Sequence, residues 1–345
     1  MSRLYDRARN AYWSVRGLPR PPLVLHGHTD FIWSVAFLPD GKQAISGSED
    51  GSIRAWMVED GEQVGTMKEG GFVVAVAASS DGRWIATGGH DMTVTIWNAT
   101  THEKVVEMKG HTDWVRSLAF SPDSARVVSG SQDGTVIVWS TTTGERLAGL
   151  PRPPLVLHGH TDWIRSVAFL PDGKQVISGS LDGSIRAWRV EDGKEVGTVM
   201  KEGGAVVAVA ASSDGRWIAT GGEDTTVTIW SATTHEKVVE MKGHTDWVRS
   251  LAFSPDSARV VSGSADQRVI VWSTTTGERL AGLKRDRRVL CVRFSPDGKR
   301  IASCDWFDLR IWHSHIWRNK RTFIPTAFRV PRAAFRCART AMWPR

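Results

Sequence analysis

Short runs of alternating apolar and polar residues recur along this 345-residue chain, among them SIRAW (52–56), TVTIW (93–97) and TVIVW (135–139). Alternation with a period of two predicts half-buried β-strands, and the Asp, Gly, Pro and Ser clusters between the runs predict turns. The third unit shows the plan: WVRSLAF (114–120), a turn at SPDS (121–124), ARVVSGS (125–131), an Asp133-Gly134 turn, and TVIVW. TTTGE (141–145) then leads to a fourth expected strand near ERLAGL (145–150). Seven such units end their third strand on Trp56, Trp97, Trp139, Trp188, Trp230, Trp272 and Trp312, mostly about 42 residues apart. A unit of that size cannot bury its own apolar face, so seven are expected to pack side by side and close into a ring.

Two further marks recur in register. Gly-His stands at 27–28, 110–111, 159–160 and 243–244, and an Asp precedes each of the first six tryptophans by six residues, at 50, 91, 133, 182, 224 and 266. With these marks the chain resembles the WD40-repeat family over residues 17–313. The resemblance implies an all-β fold, a single seven-bladed propeller with blades near 27–69, 70–109, 110–158, 159–202, 203–242, 243–283 and 284–313. Its last blade would be closed by an N-terminal strand, here 21–25. Units two and five lack the Gly-His histidine and have Gly70-Gly71 and Gly203-Gly204 nearby, and the seventh is one residue short before Trp312. Residues 1–16 and 314–345 fall outside the repeats and are expected to be basic extensions, the latter without turn grammar or helical period.

A longer periodicity overlies the first. Residues 18–149 and 150–282 align almost without gaps, differing at fourteen positions plus one inserted residue, Val199. The chain is thus a three-blade cassette, its copy, and one odd blade. This arrangement is similar to the WD40 arrays of fungal STAND-type receptors, whose repeats vary chiefly at recognition positions; the signalling domains of such receptors have no counterpart here.

Histidine, serine and aspartate recur together in a way that resembles a hydrolase triad. The sets are His28/Ser46/Asp50/Trp56, His111/Ser129/Asp133/Trp139, His160/Ser178/Asp182/Trp188 and His244/Ser262/Asp266/Trp272. In the WD40 family these positions form a buried chain of hydrogen bonds from Trp through Ser and His to Asp. Four copies of one set, each with its serine inside a strand, point to structure rather than to a single active site. Partial sets, Thr87/Asp91/Trp97 and Thr220/Asp224/Trp230, occupy units two and five. No phosphate-binding loop of the G-x-x-x-x-G-K-[ST] type occurs, and His313 and His315 stand alone rather than in a metal-ligand cluster. No catalytic residue, metal or cofactor is therefore expected.

The informative positions follow from the resemblance. In WD40 propellers the residues three and five after the histidine, and the one before the Asp, line the top rim of the central channel. Here the first pairs are Phe31/Trp33, Trp114/Arg116, Trp163/Arg165 and Trp247/Arg249; the other units add Phe72/Val74, Ala205/Val207 and Arg288/Leu290. The residues before the Asp are Glu49, His90, Gln132, Leu181, Glu223 and Ala265. Tryptophan and arginine are enriched at binding hot spots. The competing reading is that the tryptophans pack between blades, against which stands the Arg two residues on, sharing their face. Six of the fourteen cassette differences fall at 31, 33, 49, 72, 90 and 132, whereas exposed turns such as SPDS and STTTGER are identical in both copies.

Charge sharpens the picture. The net charge is +7, yet 313–345 carry eight Arg and Lys with no acid and 1–20 carry five Arg against Asp6, which leaves the repeats at about −5. A nucleic-acid-binding groove across the body is disfavoured, and an adaptor tethered to nucleic acid by its basic ends is the rival reading. Three cysteines, Cys291, Cys304 and Cys337, make no disulfide framework and suit a reducing compartment, the cytoplasm or nucleus. No apolar run is long enough to span a membrane. The expected function is a non-catalytic scaffold recognising a protein or peptide ligand of acidic character on a Trp/Arg-rich top face.

Overall fold

Each repeat folds as a four-stranded antiparallel sheet, seven in all, in a computed structural model that describes residues 22–141 and 155–313. Blade three shows how the pattern becomes structure. Its strands are Val115–Phe120, Arg126–Ser131, Val136–Ser140 and Leu155–Leu157, paired in that order. The two middle strands of a blade are buried on both faces, as in Arg126–Ser131 and Val136–Ser140, because neighbouring blades cover them from either side. The outer strands are mostly exposed and hold themselves down by one apolar anchor, such as Met67, Met108, Leu157, Met241 or Leu283.

The core is consequently a ring of clusters, each shared by two blades. Ile45, Ile53 and Met67 of the first blade pack with Val73, Val76, Ile85 and Trp97 of the second. The ring closes as expected: Leu23–Leu25 pairs with Leu309–His313, placing Leu23 opposite Ile311 and Leu25 opposite Leu309. Leu25 is 2% exposed and joins Trp56, Leu309 and Ile311 in the cluster between blades seven and one. Closure covers the edge of Leu309–His313, which would otherwise invite strand addition.

Two details depart from the sequence reading. The outer strand of blade three is Leu155–Leu157 and not the segment near 145–150, which lies outside the described residues, as do the expected extensions 1–16 and 314–345. The reason is spacing: Leu157 lies three residues before His160, as Leu25, Met108 and Met241 lie before their histidines, so the anchor reaches the core only from there. In blade four the inserted Val199 breaks the outer strand. It is cut to Met200–Lys201, with an isolated bridge between Trp188 and Glu195 where the first copy has a continuous strand, Gln63–Lys68.

Candidate functional site

The tetrads set the geometry of the top face. In blades one, three, four and six the Trp indole N–H donates to the Ser hydroxyl, Ser donates to His Nε2, and His Nδ1–H donates to the Asp, all at 2.7–2.9 Å. The carboxylate can only accept, which assigns the imidazole proton to Nδ1 and leaves Nε2 as acceptor. Asp50 Oδ2 also accepts from Thr29 N–H and its Oδ1 from Ser52, so one side chain ties the loop before the first strand to the turn before the third. That loop carries the rim residue. Burial alone would raise the Asp50 and Asp182 carboxyls, but hydrogen bonds from Ser52 and Ser184, the backbone of Thr29 and Thr161, and the histidines hold both at about 2.

The hydrolase-like appearance of these sets does not survive in three dimensions. Ser46, Ser129, Ser178 and Ser262 are each 0% exposed, so none of them is a site residue in the sense of meeting a ligand or acting as a nucleophile. The physical reason is their place in the second strand of the blade, which is covered on both faces. There each hydroxyl is held between the Trp indole and the His imidazole: Ser46 between Trp56 and His28, Ser129 between Trp139 and His111, Ser178 between Trp188 and His160, and Ser262 between Trp272 and His244.

Three blades complete the same network with other chemistry, which the sequence reading missed. Thr87 does not engage Asp91; its hydroxyl donates to Glu69, which also meets Lys104 at 3.5 Å, and Trp97 donates to Thr87 at 2.8 Å. Thr220, Glu202, Lys237 and Trp230 repeat this in blade five. In blade seven Arg285 takes the place, donating to Ser303 Oγ at 3.2 Å and to Asp305 at 2.6 Å, while Trp312 donates to Ser303. The residues in the histidine place are therefore Glu69, Glu202 and Arg285, rather than the neighbouring glycine pairs. One signal identifies them: each lies 18 residues before its Ser or Thr, as each histidine does.

Above this frame the expected rim residues divide into two tiers. The inner tier, Trp33, Val74, Arg116, Arg165, Val207, Arg249 and Leu290, lines one cavity of about 110 Å³ at the propeller axis. Val74, expected to offer contact surface, offers almost none, being 7% exposed beside similarly buried Val207 and Leu290. Its apolar side chain packs at the start of a buried strand, whereas the arginines at the same place extend into the channel. The outer tier is aromatic. Trp163 and Phe72 are exposed, while Phe31, Trp114 and Trp247 are half-buried, and Arg288 is exposed.

The residue before each Asp is bound to the outer tier by its backbone. The N–H groups of Glu49, His90, Gln132, Leu181, Glu223 and Ala265 donate to the carbonyls of Phe31, Phe72, Trp114, Trp163, Ala205 and Trp247. Side chains then meet across that pair. His90 packs edge-on to Trp114 at 4.9 Å and against Phe72 at 5.5 Å. Glu49 accepts from the Trp33 indole at 2.8 Å. The Arg116 guanidinium lies 4.6 Å from the Trp114 ring and 5.9 Å from that of Trp163. Trp114, Trp163 and Trp247 thus meet arginine or histidine at the mouth, whereas Trp33 also packs against the cluster between blades seven and one, as the core-packing reading had it.

Blade seven adds residues that the rim positions did not include. Trp306 stacks on Phe31 at 5.0 Å, Phe307 meets it edge-on at 5.9 Å, and Arg287 lies 4.8 Å over Phe307. Its turn is one residue shorter, so counting from the other blades passes over this pair; the adjacent Trp-Phe beside Asp305 was the available sign.

A family model described as WD domain, G-beta repeat matches residues 19–57, 61–98, 102–140, 151–189, 193–231, 235–273 and 278–313. The chain belongs to the WD40-repeat family, and a propeller of this family is a scaffold consistent with protein-interaction roles. Nuclear distribution protein nudF of Emericella nidulans is 33% identical over 94 residues, 26% of this chain and 21% of that protein. Human angio-associated migratory cell protein is 35% identical over 112 residues, 25% of this chain and 26% of that protein. The matches thus span about a fifth to a quarter of these curated relatives. The solved structure of U3-55K superposes with a TM-score of 0.76 at 20% identity, covering 85% of this chain and 98% of that one, a likeness of fold.

Proposed function

We propose that this chain is a non-catalytic recognition scaffold that takes a protein or peptide on its top face, with the Trp and Arg side chains of both tiers as anchors. One observation carries the reading. Of fourteen exchanges between the two cassettes, six are Phe31/Trp163, Trp33/Arg165, Glu49/Leu181, Phe72/Ala205, His90/Glu223 and Gln132/Ala265, all at the channel mouth. Near-identical scaffolds that differ where a ligand would touch are what divergent recognition produces. The other eight exchanges, among them the exposed Glu62/Lys194 and Gln63/Glu195, are spread over the rest of the cassette, so it is the concentration at the rim that favours this reading. Large aromatic side chains with few rotatable bonds give contact area at small entropic cost, and the arginines bias the ligand toward acidic character. The same pattern is similar in style to the WD40 recognition arrays of fungal STAND-type receptors, and the cysteine content suits a reducing compartment.

The test is partner capture from cell lysate with the intact chain, with Trp114→Ala/Trp247→Ala, and with Phe31→Trp/Trp33→Arg/Glu49→Leu, which installs the second copy's residues in the first. The double variant is expected to lose the partners and the triple variant to change them, each still folded and unfolding cooperatively. Equal capture by all three folded proteins places recognition elsewhere on the propeller.

A further inference from the structure

The cavity at the axis is lined by Arg116, Arg165, Arg249 and Arg293, and by no aspartate or glutamate. Arg293 is engaged with Ser250 Oγ and the carbonyls of Leu251 and Val292. The other three are not: among the described residues none of them makes a hydrogen bond or ion pair, and the Nε atoms of Arg116 and Arg249 are buried without an acceptor. Buried donors of charged groups left unpaired are costly, and natural structures seldom keep them without a use. Trp114 and Trp163 flank Arg116 and fix its position without supplying an acceptor.

Electrostatics agree with the geometry. Burial, and then the charges of Arg116 and Arg249, push Arg165 down to about 10. Burial lowers Arg249 as well, with Arg288 adding to it and Asp246 opposing it, and burial lowers Arg116 against the pull of Asp113 and Glu49. Arg116 belongs to the first copy and Arg249 is its counterpart in the second; only Arg165 is specific to the second copy. Arg165 and Leu181 stand where the first copy has Trp33 and Glu49, so at this place a channel charge has been gained and an acid lost.

We propose that the channel mouth holds a phosphate group, as a partner's phosphorylated side chain or as a free phosphate compound, among the guanidiniums of Arg116, Arg165 and Arg249. A carboxylate would offset one of three positive charges. A phosphate monoester carries about −1.5 to −2 at neutral pH and three acceptor oxygens, enough to meet all three guanidiniums, whose planar forks suit phosphate. The cavity of about 110 Å³ has room for several waters, at about 30 Å³ each in the liquid, or for one oxyanion. The inference shares its location with the proposed recognition face but needs no protein partner, so phosphate binding and partner capture can fail separately.

The experiment titrates inorganic phosphate into the full chain by calorimetry, with chloride at matched ionic strength as control. One phosphate per chain is expected, with a rise in melting temperature. Arg165→Trp/Leu181→Glu restores a pair that this scaffold already carries in blade one, and it is expected to weaken phosphate binding at least about tenfold, since a charged hydrogen bond is lost. Arg249→Gln should act likewise, independently of that exchange. A random peptide array then compares phosphoserine with glutamate: enrichment of phosphoserine identifies a side-chain source, and phosphate binding without enrichment a free one. The proposal is overturned by absence of both phosphate heat and phosphoserine enrichment, by equal phosphate binding in both variants, or by glutamate peptides binding as well as phosphoserine ones.

Discussion

The Trp33 indole N–H donates to the Glu49 carboxylate at 2.8 Å, and in the second copy both ends of that bond are replaced, by Arg165 and Leu181. In the first copy the acid is committed to the indole and the channel receives an uncharged ring. The second copy puts a cation in the same place and takes away the group that would have neutralised it. The two exchanges form one change, because Arg165 beside a glutamate would form an ion pair and leave nothing for a ligand.

A double-mutant cycle on this pair measures that unity. Trp33→Phe removes the donor and keeps a ring, and Glu49→Gln removes the charge. Because the bond is half-buried, we expect a coupling of about 1 kcal/mol by urea denaturation. Strict additivity of the two changes would show that the bond contributes nothing.

Arg285 should be among the least replaceable residues of blade seven. It is fully buried, and Asp305, 1% exposed, depends on it. Arg285→Met is expected to cost about 3–5 kcal/mol by leaving a buried carboxylate unpaired. Asp305→Asn in the same background should recover part of the loss; no recovery would mean that packing, not charge, is what the arginine supplies.

The closing strand is tested at its anchor. Leu25→Ala is expected to destabilise by about 2–5 kcal/mol and to promote concentration-dependent association through the loosened edge of blade seven. Val24, on the same strand but half-exposed, should tolerate alanine with a much smaller change. Similar melting temperatures for the two variants would argue against closure by this strand.

Acid should unfold the ring in two stages. Burial, the larger influence, holds His28 and His160 below the ordinary value despite their bonds to Asp50 and Asp182. A lowered folded-state value means that the unfolded chain takes up protons first, so stability is full above about pH 6.5 and declines as pH falls below it. Asp50 and Asp182, held at about 2, add a second loss as pH falls from about 4 toward 2. Melting temperature against pH should show both declines. A flat profile from pH 7 to 5 would contradict the first.

Gln267 occupies a left-handed turn position, φ 70°, where the first copy has Gly134 at φ 77°. A side chain there costs about 1–2 kcal/mol that glycine avoids, less what glycine loses in chain entropy. Gln267→Gly is therefore expected to raise the melting temperature modestly, and a fall would show that the glutamine side chain makes a compensating contact.

Much of this protein was legible in one dimension because its signals are local and repeated. The period near 42, the alternation within strands and the Trp ending each third strand required sheets, and sheets with two apolar faces required neighbours. The extra PPLVL before blade one foretold ring closure. Spacing alone also contained Glu69, Glu202 and Arg285, since 18 residues separate each from its Ser or Thr; what the blades share at this place is a hydrogen-bonding position and not a residue type, so the histidine pattern does not include them. The second PPLVL was the harder case. Either of two segments would have fitted the outer edge of blade three in the pattern alone, and the offset of Leu157 from His160, read together with its place in the core, picks out the one observed.

The sequence by itself determined the number of blades, their internal order, the tetrads and the positions at which the two cassettes diverge, because each depends on contacts within one repeat or on a fixed offset from it. Tertiary structure alone decided what those divergent positions amount to. Residues 33, 116, 165 and 249 are spread over more than two hundred positions of chain and become neighbours only when the ring closes. Whether an arginine has a counterion depends on every blade that faces it, so the unpaired charge at the axis is a property of the closed ring and of no single repeat.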